Sequence, residues 1–228
     1  MKKSQLNISE AVSTGWGYTK LNYPILIGSF AVLMAIGVAF AIIENIIGAM
    51  GAKSTALSVV GVLALATLVE TVLRIGVQNL TSIGFTRIQL NILDNQPTKI
   101  GQLFHPEDVF WRYLGGSIVY GLIVIGGIIL LIVPGVIWAI KYQFALPLIV
   151  DKKMGIMEAI TKSGQMTKGY KGWLFGLAIV LGLINLAGLL ALFIGLLITV
   201  PLTAMAQIWV YRQLLDNESK TTIAAKTA

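Results

Sequence analysis

The sequence contains no cysteine. That absence removes a disulfide framework, a thiolate metal site and thiol catalysis together. Charge is the next scarcity: only 12% of the residues are Asp, Glu, Lys or Arg, about half the share of a soluble domain. With 56% hydrophobic residues, too little polar surface is left to cover a globule in water. A lipid bilayer lifts that requirement by replacing water around most of the surface.

Catalytic signatures are missing as well. No H-E-x-x-H, phosphate-binding glycine loop ending in Lys-Ser/Thr, G-x-S-x-G elbow or G-x-G-x-x-G turn occurs. Glu107-Asp108 is the only adjacent acidic pair, and neighbours on a helix do not face each other. The single histidine, His105, has only those two acids nearby in sequence, short of the convergent ligands a metal needs. The acids read instead as the first turn of a helix, where its dipole favours negative charge. No catalytic residue, metal or cofactor is assigned. The start, Met1-Lys2-Lys3 and polar residues through Tyr23, lacks the apolar stretch and cleavage site of a signal peptide. The first apolar run is therefore expected to be a retained span.

What the chain does have is a succession of long apolar runs. A crossing helix needs about 20 apolar residues to match a ~30 Å hydrocarbon core. The pattern predicts an all-α, polytopic transmembrane helix bundle occupying residues 1–215, with a polar tail at 216–228. About six spans are expected, near 24–47, 56–85, 113–133, 136–150, 173–189 and 193–211. Pro134-Gly135 places a hairpin between the third and fourth spans. Pro147 predicts a kink in the fourth, and Pro201 one in the sixth. From Trp173 to Val210 the chain is almost continuously apolar, about 57 Å as one helix and too long for one crossing. A turn is expected between Gly188 and Gly195. Residues 156–168 alternate apolar and polar side chains at helical spacing, predicting an amphipathic helix at the membrane surface.

Charge then sets orientation. Lys2, Lys3, Lys20, Arg87, Lys99, Arg112, Lys152, Lys153, Lys162, Lys168, Lys171, Arg212, Lys220 and Lys226 fall on one side of the predicted spans. Lys53 stands alone on the other, while Arg74 and Lys141 lie within spans. The positive-inside rule puts the crowded side and both termini in the cytoplasm of a cell membrane. Lys152, Lys153, Lys162, Lys168 and Lys171 are the basic residues expected at the membrane surface, against anionic lipid head groups. A net charge of +7 without base-stacking aromatics interleaved argues membrane orientation and not nucleic acid.

Two stretches resemble each other, either as an internal repeat or through shared amphipathic composition alone. Ile8–Gly28 and Ile156–Gly176 align without gaps, sharing Ile8/Ile156, Glu10/Glu158, Ala11/Ala159, Thr19/Thr167, Lys20/Lys168, Leu26/Leu174 and Gly28/Gly176. Each reads as an amphipathic helix leading into a span, and as a repeat the two would be parallel rather than inverted.

Further along, Pro134-Gly135-Val136-Ile137 precedes Ala145-Leu146-Pro147, then Glu158-Ala159-Ile160, Ser163, Lys168-Gly169 and Trp173. This order resembles a group of poorly characterised bacterial six-pass membrane protein families. They include the membrane domain fused to some glycerophosphoryl diester phosphodiesterases. The resemblance implies six helices and a cytoplasmic helix before the fifth span. Phosphodiesterase chemistry is not carried over, because in the fused members it belongs to a separate soluble domain.

Charges inside spans are the remaining leads, since one at the bilayer centre costs at least about 2.5–3.5 kcal/mol. Glu70 and Arg74 stand four apart, on one helix face. They either neutralise each other or line a polar cavity that binds a head group or ion. Depending on register, Glu70 and Lys141 also reach a similar depth and can pair across helices; alone, Lys141 can extend outward to the surface. Glu44, nearer the outer end of its span, is a weaker lead. Gln78, Asn79 and Asn185 read as interhelical hydrogen-bonding groups, and Ser117/Gly121 and Gly172/Gly176 have small-residue packing spacing. The first functional expectation is a non-enzymatic membrane module engaging lipid, a partner protein or a second copy in the cell envelope. A small transporter or channel with a polar site at Glu70, Arg74 and Lys141 is the alternative, and an enzyme ranks last.

Overall fold

The computed structural model describes residues 6–52, 57–105, 107–191 and 194–227. Lys53, Lys2 and Lys3 lie outside them, as do two residues of the turn expected between Gly188 and Gly195. The described residues form α-helices and two short 3-10 helices, with no strand. The helices are α1 (Ile8–Leu21), α2 (Tyr23–Ala52), α3 (Leu57–Leu93), α4 (Phe110–Leu130), α5 (Ile132–Tyr142), α6 (Ala145–Lys152), α7 (Ile156–Met166), α8 (Lys171–Leu190) and α9 (Leu196–Thr227). Among them α2, α3, α4, the α5–α6 pair and α8 are long and apolar enough to cross a membrane. Six such segments were expected. The last, α9, falls short because Thr199, Thr203, Gln207 and Arg212 interrupt its apolar run. It continues as helix to Thr227, through most of the polar segment 216–228.

Local chemistry explains where helices stop. Asn7 caps α1, its Oδ1 accepting from the Ser9 N–H at 3.0 Å. Pro24 sits in the first turn of α2, where a missing N–H costs nothing. The break between α5 and α6 falls at Gln143–Phe144, the residue four before Pro147 being the one whose carbonyl a proline cannot serve. The predicted kink is thus a full interruption. Pro201, by contrast, is held inside an unbroken α9.

The α4–α5 turn also differs from the expected Pro134-Gly135. Leu131 alone, extended at φ −168°, reverses the chain, and Pro134 and Gly135 belong to the first turns of α5. Close packing of two glycines permits so tight a turn: a Cβ on Gly127 would lie 2.7 Å from the Gly135 Cα. The α8–α9 turn uses the same device, a Cβ on Gly195 falling 2.6 Å from the Gly188 carbonyl oxygen. In contrast, Cβ atoms on Gly121 and Gly172 would meet nothing within 4 Å. The other member of each pair does meet a neighbouring helix, Gly176 lying against Ile8 of α1 and Ser117 against Asn79 of α3.

Three hairpins, α2–α3, α4–α5 and α8–α9, join through α3–α4, α5–α8 and α2–α9 contacts into a closed ring of six helices. Polar side chains bridge several neighbours. Ser117 Oγ donates to Asn79 Oδ1 at 3.2 Å between α4 and α3. Tyr120 donates to the Ala139 carbonyl at 3.2 Å between α4 and α5. Asn185 Nδ2 donates to Thr203 Oγ1 at 3.1 Å between α8 and α9.

The core lies towards one end of this ring, where α1, α6 and α7 pack beneath the hairpins. Met205, Ala206, Val210 and Tyr211 of α9 are fully buried there, with Ile83 and Ile88 of α3 and Leu148 and Ile149 of α6. Helix α9 is the hub, packing on α1, α2, α3, α7 and α8. At the opposite end, Ile129, Leu131, Ile132, Leu190 and Ile194 are more than two-thirds exposed. The basic side chains gather at the core end, called the basic end below.

The repeated positions carry equivalent burial. Ala11 and Ala159, Thr19 and Thr167, and Leu26 and Leu174 are all within 1% of complete burial. Thr19 Oγ1 donates to the Gly15 carbonyl at 2.8 Å, and Thr167 Oγ1 lies 2.9 Å from the corresponding Ser163 carbonyl. The likeness between α1 and α7 is therefore one of packing role, not of composition alone.

Candidate functional sites in and beside the membrane

Within the α2–α3 hairpin, Arg74 stands between two carboxylates. Its Nη1 donates to Glu44 Oε2 at 3.2 Å, and its Nε is 3.8 Å from Glu70 Oε1. Glu70 is 6% exposed, and its Oε1 has no hydrogen-bond partner. Glu44, the weaker lead in sequence, is the closer partner, because α2 and α3 run side by side. Two clefts flank the cluster. One of about 430 Å³ is lined by Glu44, Thr67 and Glu70 among apolar residues. The other, about 360 Å³, is lined by Arg74, Gln78, Thr81 and Ser82 beside Leu33 and Phe40. The guanidinium offsets one of the two carboxylates, which lowers the cost of holding charge in an apolar hairpin and leaves one negative charge over.

Lys141 is elsewhere and does not pair with Glu70. Its Nζ donates to the Tyr142 hydroxyl at 2.8 Å and lies 4.6 Å from that ring's centroid. Its stem crosses α7 at Gly164, where an added Cβ would come 3.1 Å from Lys141 Cε. The α5–α6 break fixes this position. Ser163 Oγ accepts from the Phe144 N–H at 3.2 Å and donates to the Lys141 carbonyl at 3.0 Å. Thr167 Oγ1 is also 3.0 Å from that carbonyl. Hydroxyls of α7 thereby serve the backbone groups that the interruption frees.

Around Lys141 opens a cavity of about 620 Å³ between α4, α5, α7 and the start of α8. Lys168 and Lys171 line it with Lys141, beside Ile123, Met157 and Ile160. Gly169, at φ 87°, turns the chain between Lys168 and Lys171, a backbone conformation that favours glycine. No described carboxylate lies within ion-pair distance of these three lysines. An apolar groove of about 390 Å³ continues from Lys171 along Ile132, Val136, Ile140 and Phe175, between α5 and α8.

The other basic residues expected at the surface are engaged within the protein. Lys152 Nζ is 3.4 Å from Asp151 Oδ2, and Lys162 pairs with Glu218. The Lys153 carbonyl accepts from Arg112 Nη1 at 2.7 Å. Of the five, Lys168 and Lys171 line the cavity around Lys141.

A further network escaped the sequence reading. Arg212 of α9 donates to Asp151 Oδ2 at 2.8 Å and to Asp94 Oδ2 at 2.6 Å. The Tyr211 hydroxyl donates to the same Asp151 oxygen at 2.7 Å. These contacts join the C-terminal ends of α3 and α6 to the middle of α9. Nothing in sequence spacing announced them, since 118 positions separate Asp94 from Arg212. His105 Nδ1 lies 3.1 Å from the Gly101 carbonyl oxygen, and among the described residues no three His, Asp or Glu side chains are grouped to hold a metal.

No family model matches the chain, and no solved structure matches it. It is 29% identical over 134 residues to an uncharacterised protein of Mycobacterium bovis. An uncharacterised protein of Mycobacterium tuberculosis is 28% identical over a stretch of the same length. Each match covers 57% of this chain and 39% of the relative, so the chain matches about two-fifths of the length of these curated relatives.

Proposed function

We propose that this protein is a non-enzymatic module of a bacterial cell membrane that crosses the bilayer six times and engages anionic lipid head groups. In this reading the basic end and both termini face the cytoplasm. One observation carries it: the end that holds the core and the basic residues also exposes a belt of aromatic side chains. Trp16, Tyr23, Phe104 and Trp111 are all at least 41% exposed there. Aromatic rings and lysines together are the side chains that settle at a membrane–water boundary, and lysines near an anionic surface add roughly 1 kcal/mol each. The motif order from Pro134 to Trp173 supports the same six-pass placement.

Transport through a site at Glu70, Arg74 and Lys141 has less support. The charges sit in two unconnected places, with Arg74 held by acids in one hairpin and Lys141 turned towards α7.

The test is native mass spectrometry of protein released from nanodiscs of equal zwitterionic and anionic phospholipid. Enrichment of anionic lipid on the protein is the expected result. Retention in proportion to the supplied mixture would overturn the reading.

A further inference from the structure

Of the cavities in the ring, the one around Lys141 is distinguished by continuity. Its basic part and the apolar groove between α5 and α8 share one residue, Lys171. A ligand occupying both would need an anionic group at one end and a hydrocarbon chain at the other. Both volumes fall within the range of roughly 300–1,000 Å³ typical of small-ligand pockets. The groove also opens on the outer face of the ring, where the neighbouring Val133 and Ile132 are about 70% exposed.

We propose that the Lys141–Lys168–Lys171 cavity and the α5–α8 groove are one binding site for a single anionic phospholipid. The phosphate lies among the three ammonium groups and one acyl chain runs along Ile132, Val136, Ile140 and Phe175. Three positive charges with no described carboxylate within ion-pair distance select an anion. The tyrosine hydroxyl of Tyr142, 2.8 Å from Lys141 Nζ, and the Thr161 and Gln165 side chains on the cavity wall supply further polar partners for a head group. Apart from Lys171 the groove is lined by apolar residues and glycine, and it selects a chain over a free phosphate. This assignment rests on the anionic-lipid reading above and specifies where and how that lipid is held.

The discriminating experiment compares two charge-matched variants in mixed-lipid nanodiscs, again by native mass spectrometry. Lys168→Gln/Lys171→Gln removes two cavity lysines, and Lys20→Gln/Lys99→Gln removes two exposed ones at the same end. Wild type is expected to retain one anionic phospholipid per chain. The cavity variant should weaken its binding about thirtyfold, and the surface variant should not. A third variant, Gly172→Leu, fills the groove without touching the lysines, since a Cβ there meets nothing within 4 Å. It should lower retention of the lipid while leaving binding of soluble glycerophosphate unchanged. Equal retention by wild type and the cavity variant would overturn this site and leave the broader reading standing. No anionic preference in the wild type would overturn both. Competition by inorganic phosphate, together with indifference to Gly172→Leu, would show a head-group-only site and overturn the phospholipid assignment.

Discussion

The hydroxyl of Ser163 stands 3.0 Å from the carbonyl oxygen of Lys141 and 3.2 Å from the amide nitrogen of Phe144. One side chain of α7 thus serves both a donor and an acceptor freed where α5 gives way to α6. Ser163 is completely buried, so no water replaces it. Ser163→Ala is expected to cost about 1–3 kcal/mol, the penalty for leaving buried backbone groups unpaired. Reversible unfolding in mixed micelles measures this, and a change under about 0.5 kcal/mol would mean the break is self-sufficient.

The paired glycines of the two tight turns should tolerate no side chain. Gly127→Val and Gly188→Val each drive a branched side chain into an opposing helix, Gly188 having Thr199 Oγ1 only 2.3 Å from an added Cβ. Both are expected to abolish recovery of monodisperse protein. Gly121→Val, in open space, should be recovered at wild-type yield. Size-exclusion profiles after extraction decide it.

Arg212 is expected to be the costliest surface-end cation to remove. Arg212→Met leaves Asp151 only the Tyr211 hydroxyl and the longer contact to Lys152, with that carboxylate only 11% exposed. The loss should be about 3 kcal/mol, as for breaking a largely buried ion pair. Asp94→Asn should cost less, because Asp94 is 48% exposed. Thermal unfolding of the two variants side by side gives the order, and the reverse order would place the weight of the network on α3.

For the cluster inside the α2–α3 hairpin, single and double changes should differ. Glu44→Gln or Glu70→Gln leaves Arg74 one carboxylate, and either variant should fold. The double variant leaves the guanidinium without a counter-charge, at a cost of about 2.5 kcal/mol or more. Membrane-fraction yield is expected to fall only in the double variant. A single variant that fails equally would show that both acids are needed and that charge balance alone does not explain the cluster.

The absence of native cysteine makes orientation directly measurable. With the basic end in the cytoplasm, an impermeant maleimide should label Leu131→Cys in intact cells and Ser9→Cys only after permeabilisation. The opposite pattern would invert the proposed topology.

Most of the helix order was legible in the sequence because apolar run length and lysine placement depend on local composition. Places where helices nearly touch were not. Pro134-Gly135 reads as a turn, yet the contact of Gly127 with Gly135 moves the reversal to Leu131, and backbone proximity has no signature in a linear string. Pro147 announced a distortion, but its depth depends on Ser163 and Thr167 of another helix receiving the freed groups. The ionic leads divided similarly. Glu70 and Arg74 pair as their four-residue spacing implies, whereas Glu44–Arg74 and Asp94–Arg212 depend on which helices become neighbours. Lys141 stands out in sequence as a charge within a span, and its relation to Lys168 and Lys171 becomes visible only once α7 folds back beneath α5.

The position of α9 has a consequence for the order in which the protein takes shape during synthesis. Ribosomes deliver α1 to α8 first, so the inward faces of α1, α2, α3, α7 and α8 are made before the helix that joins them exists. Until α9 arrives, each hairpin can be held by its own pairing but the set has no common centre. Closure of the ring therefore waits for α9, whose Met205, Ala206 and Tyr211 supply the buried surface on which the other helices meet.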